Sequence, residues 1–182
     1  MCNQSISFRH RLFARFMAGE NERSHEKYKE KKAELFSEVR GRVLELGPGT
    51  GINLPFFPKD INWIGIEPNA AMHPYLKEKA DELGLRVEFC EGLSKDDGIE
   101  DDSFDFAVST LVLCSVDSVE TILGEIRRSL KPGGKFLFIE HVVDQSNFVR
   151  RLVQKLVPFT PWRYFSDGCN PGRNIGSFIK DA

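Results

Sequence analysis

Val43-Leu44-Glu45-Leu46-Gly47-Pro48-Gly49-Thr50-Gly51 is an aliphatic run that stops abruptly at three glycines on alternate positions. The run has the length and composition of a buried strand. The glycines predict a tight turn, and their missing Cβ atoms let a ligand reach the backbone. Four further runs, at residues 61–66, 86–89, 104–110 and 135–141, carry the same β-branched and aromatic character, so with 42–46 the sequence predicts five strands. Helical stretches separate most of them. Residues 52–57 begin a short helix cut by Pro55 and Pro58, and residues 69–83 form a longer one with Gly84 just past its end. Residues 116–130 place Val119, Ile122, Leu123, Ile126 and Leu130 on one stripe before a Lys131-Pro132-Gly133-Gly134 turn. Strand, helix, strand in series predicts an α/β fold: a Rossmann-like, mainly parallel sheet with helices on both faces.

The 182 residues suffice for one such domain, read as a helical arm at 1–36 followed by the sheet domain at 37–182. With 25 basic and 27 acidic residues the net charge is −2, which argues against a general polyanion binder. No apolar run approaches the roughly 20 residues needed to cross a bilayer, and no signal-peptide pattern opens the chain, so the expected location is cytoplasmic. Two flanking segments are amphipathic and basic. Phe8, Leu12, Phe13, Phe16 and Met17 share a face beside Arg9, Arg11 and Arg15, and Phe148, Val149, Leu152, Val153, Leu156 and Val157 repeat the pattern beside Arg150, Arg151 and Lys155. The first expectation is that both pack over the sheet and roof a pocket. The alternative is peripheral contact with an anionic intracellular membrane. The charged run at 20–34 reads as a solvated helix. Cys2, Cys90, Cys114 and Cys169 are scattered without a C-x-x-C pair, so they are expected as reduced thiols and no metal site is predicted.

The glycine loop defines the ligand. A dinucleotide fingerprint is G-x-G-x-x-G with a pyrophosphate on the following helix; here the third glycine comes one position early and an acid, Glu45, precedes the first by two. A carboxylate there would repel a pyrophosphate but suits S-adenosylmethionine, which carries an ammonium, a sulfonium and a nucleoside. Glu45 is assigned to the ammonium through water. The second strand ends at Glu67-Pro68, where an adjacent parallel strand presents an acid to the ribose hydroxyls. Gly47, Gly49, Thr50 and Gly51 form the cradle. After the third strand, Cys90-Glu91-Gly92-Leu93 offers Gly92 and an apolar Leu93 to the adenine, and Thr110 and Leu111 end the fourth strand where open α/β sheets bind their ligands.

Through the glycine motif, Glu67-Pro68, Ser103-Phe104-Asp105 and Leu130-Lys131-Pro132-Gly133-Gly134, residues 40–140 resemble the class I S-adenosylmethionine-dependent methyltransferases. A closer resemblance is to the thiol S-methyltransferases. It is carried by Lys32-Ala33-Glu34-Leu35-Phe36, Thr110-Leu111-Val112-Leu113-Cys114-Ser115-Val116, Glu140-His141-Val142 and Phe165-Ser166-Asp167-Gly168-Cys169-Asn170, with the small-molecule quinone methyltransferases next nearest. That resemblance implies methylation of a small lipophilic thiol, a quinone or phenol being the alternative acceptor. Animal members of the group begin with a hydrophobic anchor that this chain does not show. The superfamily sheet also ends in a sixth and seventh strand, which are expected to be missing here; a cofactor-binding protein with weak or silent turnover is therefore a further alternative.

Methyl transfer from a sulfonium is an in-line displacement, so the protein chiefly positions the acceptor and excludes water. A cysteine-like thiol, with a pKa of about 8.5, is ionised to a few per cent at neutral pH and needs a helper base at most. His141 is the candidate helper, a strand-capping role being the alternative. Asp167 is the candidate to orient the acceptor or His141, a plain Asp-Gly turn being the alternative. Cys114 and Cys169 are expected as small buried hydrophobes. The fourth strand is not followed by the Asn/Asp-Pro-Pro-Tyr/Phe cluster that holds a flipped base, so no nucleic-acid partner is expected. His10, His25 and His73 receive no role.

Overall fold

The computed structural model of the protein describes residues 6–90 and 92–181; Cys2 and Glu91 lie outside them, as do the side chains of residues 20–26, Trp162, Lys180 and Asp181. Five strands, β1 Arg42–Leu46, β2 Asn62–Ile66, β3 Val87–Cys90, β4 Phe104–Thr110 and β5 Leu130–Ile139, pair in parallel in the order β3-β2-β1-β4-β5. The chain builds outward from β1 in one direction and then crosses to build in the other. The crevice at the carboxyl ends of β1 and β4 is thus the topological switch point, where open α/β sheets take their ligands.

The helices are α1 Phe8–Leu35, α2 His73–Leu83, α3 Val119–Ser129, α4 Phe148–Leu156, α5 Trp162–Phe165 and α6 Ile175–Asp181. Alternation along each buried strand divides the core in two. Val43, Trp63, Phe106 and Val108 pack with Leu76 and Ala80 of α2 on one face of the sheet. Leu44, Ile64 and Ala107 pack with Val119, Leu123 and Ile126 of α3 and Ile175 of α6 on the other. Gly84 closes α2 in a left-handed conformation, and Ser118 starts α3 by accepting the Thr121 N–H. Residues 52–57 yield only a single turn, Leu54–Phe56, because Pro55 and Pro58 deny it further backbone donors.

Three expectations change. The Lys131–Gly134 turn is carried inside β5: Leu130 pairs with Phe104 and Lys135 with Phe106, so a bulge absorbs the intervening residues, with Gly133 at φ 81°. The charged run at 20–34 is not wholly solvated. Lys32 is 1% exposed, in electrostatic contact with Glu45 and 6.0 Å from the Phe56 ring. The flanking helices only partly pack over the sheet: Ala14, Phe13 and Met17 of α1 meet Ala71 and Met72, but Phe8, Leu12 and Phe16 are exposed and α4 buries none of its residues. The reason lies in how α4 is tethered. Gln154 bonds the Asp144 N–H and the Val142 carbonyl, so a polar edge docks while the apolar face turns outward.

Beyond β5 the described chain runs into α4, α5 and α6, and the five strands are all that the sheet contains among the described residues.

Candidate active site

Glu45 lies on β1 opposite Gly65 of β2. A Cβ at Gly65 would come within 2.3 Å of the Trp63 ring, so the indole lies across the glycine and reaches its neighbour strand. There the Trp63 N–H donates to Glu45 Oε2 at 2.8 Å, and Asn53 Nδ2 donates to Oε1 at 2.7 Å. Both oxygens are therefore held within the protein, and Glu45 is 1% exposed. Burial raises its pKa to about 7, against the pull of these two donors and of Lys32. Burial likewise lowers Lys32 to about 8. Glu45 thus organises the frame beneath the glycine loop; its carboxylate does not stand open to a ligand ammonium as the sequence suggested. Asn53 carries that frame upward, since its Nδ2 also donates to Thr110 Oγ1 at 3.0 Å while its buried Oδ1 has no partner.

The loop above is shaped by two glycines. Gly47, at φ 53°, would drive a Cβ to 2.6 Å from Val112, so only glycine lets the β4 loop close over the turn. Gly49, at φ 59°, would project its Cβ into open space, beside Glu67. Thr50 is buried, and Gly51 seats against Leu54 and Leu76. Glu67 joins loop to strand: Oε2 accepts the Gly49 N–H and Oε1 the Asn69 N–H, both at 2.9 Å. Burial raises its pKa, opposed by those two donors. Asn69 Nδ2 is buried without a partner, while Pro68 is exposed. An open cradle over Gly49, an anchored acid and an orphaned buried amide fit the charged end and hydroxyls of S-adenosylmethionine. His73, given no role from sequence, donates from Nε2 to the Glu67 carbonyl at 2.8 Å and stacks on Phe89 at 4.7 Å.

At the third strand the outcome is mixed. A Cβ at Gly92 would meet the Asp97 carboxylate, which caps Ser94, so Gly92 lets that turn close. Leu93 is 6% exposed and packs with Leu46, Ile66 and Ile99 in the core, which makes it support for the site and not its lining.

The β4 loop is held from the neighbouring strand. Leu111 adopts φ 59° and its N–H donates to Ile139 at 2.7 Å. Such a conformation is costly for a branched residue and persists only where surrounding bonds enforce it. Glu140 supplies them: Oε1 accepts Ser109 Oγ at 2.5 Å and the Val112 N–H at 3.0 Å, and both oxygens accept the Leu113 N–H at 3.2 Å. In sequence Glu140 stands out only within the Glu140-His141-Val142 resemblance, although an acid at a strand end beside a β4 loop rich in N–H groups signals such an anchor.

His141 follows directly and is exposed. Its imidazole hydrogen-bonds the Cys114 thiol, which raises its pKa against the effect of burial. Asp167, at φ 53°, does not orient it. Its carboxylate pairs with Arg9 at 3.3 Å and His10 at 3.8 Å and so ties the start of α1 to the C-terminal segment. Cys90, Cys114 and Cys169 are free thiols, as expected, but of the two expected to be buried hydrophobes only Cys114 is buried, and Cys169 is half-buried. Cys114 Sγ and Cys169 Sγ are 3.4 Å apart, and with His141 their ligating atoms all lie within 4.8 Å of one another. Contact with Cys169, together with burial, pushes the Cys114 thiol far above its ordinary pKa. Two clefts open nearby: one of about 530 Å³ lined by Arg9, Ser115, Tyr164, Asp167 and Gly168, and one of about 1020 Å³ lined by Val142, Val143, Val149, Val153, Gln154 and Gly176.

Residues 44–138 match the family model described as a methyltransferase domain. The chain is 35% identical to thiol S-methyltransferase TMT1B of Rattus norvegicus, across 93% of this chain and 74% of that protein. It is 36% identical to thiol S-methyltransferase TMT1A of Homo sapiens, across 87% and 69%. Among solved structures, a methyltransferase from Thermotoga maritima described as a possible histamine N-methyltransferase aligns with a TM-score of 0.61 at 25% identity, over 93% of this chain and 78% of that one. A methyltransferase from Methanococcus maripaludis aligns with a TM-score of 0.67 at 18% identity, over 99% and 86%, and shares the fold.

Proposed function

The chain belongs to the class I S-adenosylmethionine-dependent methyltransferases, in the family of the thiol S-methyltransferases, and from that premise we propose that its acceptor is a small lipophilic thiol. S-adenosylmethionine supplies an activated methyl group and a neutral leaving group when bound. The rest falls to the chain. Glu67 and the Gly49 backbone, bonded to each other, would hold one side of the cofactor, and Glu140 fixes the loop from Ser109 to Leu113 that would face it. The observation that carries the acceptor reading is the groove beside His141, where Val142, Val143, Val149 and Val153 offer contact to an apolar body alongside Asp144 and Arg150. A thiol also suits a site in which the candidate base is already bonded to Cys114, because part of it ionises unaided at neutral pH.

The deciding experiment is transfer of a radiolabelled methyl group across acceptor classes. Alkyl and aryl thiols are expected to be methylated in preference to quinols and phenols of the same size; transfer to the oxygen acceptors alone overturns the reading. We further propose peripheral contact with an anionic membrane through α4. Phe148, Val149, Leu152, Val153 and Leu156 are each at least 45% exposed, beside Arg150, Arg151 and Lys155, a pairing suited to acyl chains and anionic headgroups. Among the described residues no helix is long and apolar enough to cross a membrane.

A further inference from the structure

Cys114, His141 and Cys169 come from three separate segments: the loop after β4, the residue pair after β5 and the turn before α6. Their side chains nevertheless meet, with ligating atoms all within 4.8 Å of one another. In a tetrahedral zinc site with Zn–S bonds of about 2.3 Å, two sulfurs stand about 3.8 Å apart; here the two Sγ atoms are at 3.4 Å. The backbone holds them there. The Asn170 N–H donates to the Cys114 carbonyl at 2.9 Å, and the Arg173 guanidinium donates to the carbonyls of Leu113 at 3.0 Å and Val116 at 2.5 Å. Glu140 pins the other side of the same loop through the Leu113 N–H. A loop fastened on both flanks keeps its ligands in place before any ion arrives, which is what a selective site needs.

We propose that Cys114, His141 and Cys169 form a three-ligand site for zinc whose fourth position receives the sulfur of the acceptor. Two sulfurs and one imidazole match the soft and borderline preference of zinc, and three protein ligands with one open position is the pattern of a reactive site, not of a closed structural one. The openness is visible: Cys114 is buried, Cys169 half-buried and His141 exposed, and Val142, which follows His141 directly, lines the 1020 Å³ groove assigned to the acceptor. When a thiol binds, its S–H bond breaks, a sulfur–zinc bond forms and the proton leaves to solvent. Two cysteine thiolates already balance the ion's charge, so a third makes the centre anionic and leaves the acceptor sulfur electron-rich for the methyl transfer. His141 then acts as a ligand, and no separate base is required. The binding of zinc stands independently; the role of the open position rests on the thiol reading above.

The test uses the full chain. Zinc content is measured after dialysis, and cobalt(II) is titrated in its place to read the sulfur-to-cobalt charge-transfer band and the intense visible bands of a four-coordinate centre. About one equivalent is expected in the wild type, with a loss of affinity of about 100-fold or more in Cys169→Ser and His141→Gln, beyond the roughly 10–100-fold that outer-shell changes cause. Cys90→Ser should bind as the wild type does, and an alkyl thiol, unlike the matching alcohol, should strengthen the charge-transfer band. Sub-stoichiometric metal in the wild type, equal metal binding by the Cys169→Ser and His141→Gln proteins, or a Cys114–Cys169 disulfide persisting under reducing, zinc-replete conditions overturns the site. Undiminished thiol methylation by chelated, metal-free protein sinks the zinc role while leaving the acceptor reading intact. A cobalt centre that responds to thiols in a protein that methylates none sinks the acceptor reading and leaves the zinc site standing.

Discussion

Glu67 is the residue on which the cofactor assignment turns, and Glu67→Gln examines it with the least steric change. In the wild type each carboxylate oxygen accepts one backbone N–H at 2.9 Å, from Gly49 in the glycine loop and from Asn69 on the strand side. A glutamine has one acceptor oxygen, so one of those donors must face an NH2 group and lose its partner in a buried setting. Leaving a buried donor unpaired costs about 1–3 kcal/mol. Part of that cost appears as lost stability, because the bonds exist before any ligand binds. The rest appears in affinity, since the variant also loses its anionic acceptor for the ribose hydroxyls. A hydrogen bond to a charged acceptor is worth about 1.5–3 kcal/mol, so calorimetric titration with S-adenosylhomocysteine should show binding weakened about 10–150-fold. A melting curve on the same sample separates the two contributions. Because burial raises the Glu67 pKa, wild-type affinity should also fall as pH drops through that raised range, and the variant should lack this dependence. Affinity unchanged in a folded variant with a lowered melting temperature would refute the ribose role and leave Glu67 as a loop anchor only.

Three other perturbations follow from the same geometry. Gly65→Ala places a methyl group 2.3 Å from the Trp63 ring; overpacking of about 1–3 kcal/mol should lower the melting temperature by about 2–12 °C, and an unchanged melt would mean that the indole is not seated across β2. Glu45, at a pKa of about 7 when folded against 4.5 as the ordinary value, keeps its proton longer in the native than in the unfolded state. Wild-type stability should therefore decline by about 3 kcal/mol as pH rises through that interval, and denaturant titrations of Glu45→Gln should be flatter there; equal slopes would dismiss a buried, late-titrating carboxylate. Leu152→Glu, on the exposed face of α4, should abolish co-sedimentation with anionic vesicles while methylation of a water-soluble thiol persists, whereas retained vesicle binding would count against that face.

The glycine turn and the acid that closes the next strand were readable because their signals are local. Glycines at 47, 49 and 51 following a strand, and an acid closing the next one, lie within short stretches whose geometry the backbone itself dictates. The same reading misjudged Glu45, because an acid in a strand looks equally suited to a ligand or to the interior; the Trp63 and Asn53 donors that draw it inward arrive from other segments. Lys32 was hidden for a related reason. In a run so rich in charge, nothing local distinguishes the one ammonium that lies over the Phe56 ring near Glu45 from its solvated neighbours. Leu93 was legible as apolar but not as a core residue, since a strand end and a pocket wall share that composition.

By itself the sequence determined the parallel α/β order, the switch-point loop and the nature of the cofactor, because hydrophobic period and glycine placement act over a few residues at a time. Only the tertiary structure decided which side chains meet beyond β4 and β5. Cys114 and Cys169 are 55 residues apart in the chain and 3.4 Å apart in space. They meet because parallel pairing carries β4 and β5 to one edge and the segment before α6 folds back onto the Cys114 carbonyl. It also decided that the apolar face of α4 points outward, since a helix's amphipathic pattern specifies a stripe and the tether at Gln154 specifies which way the stripe turns.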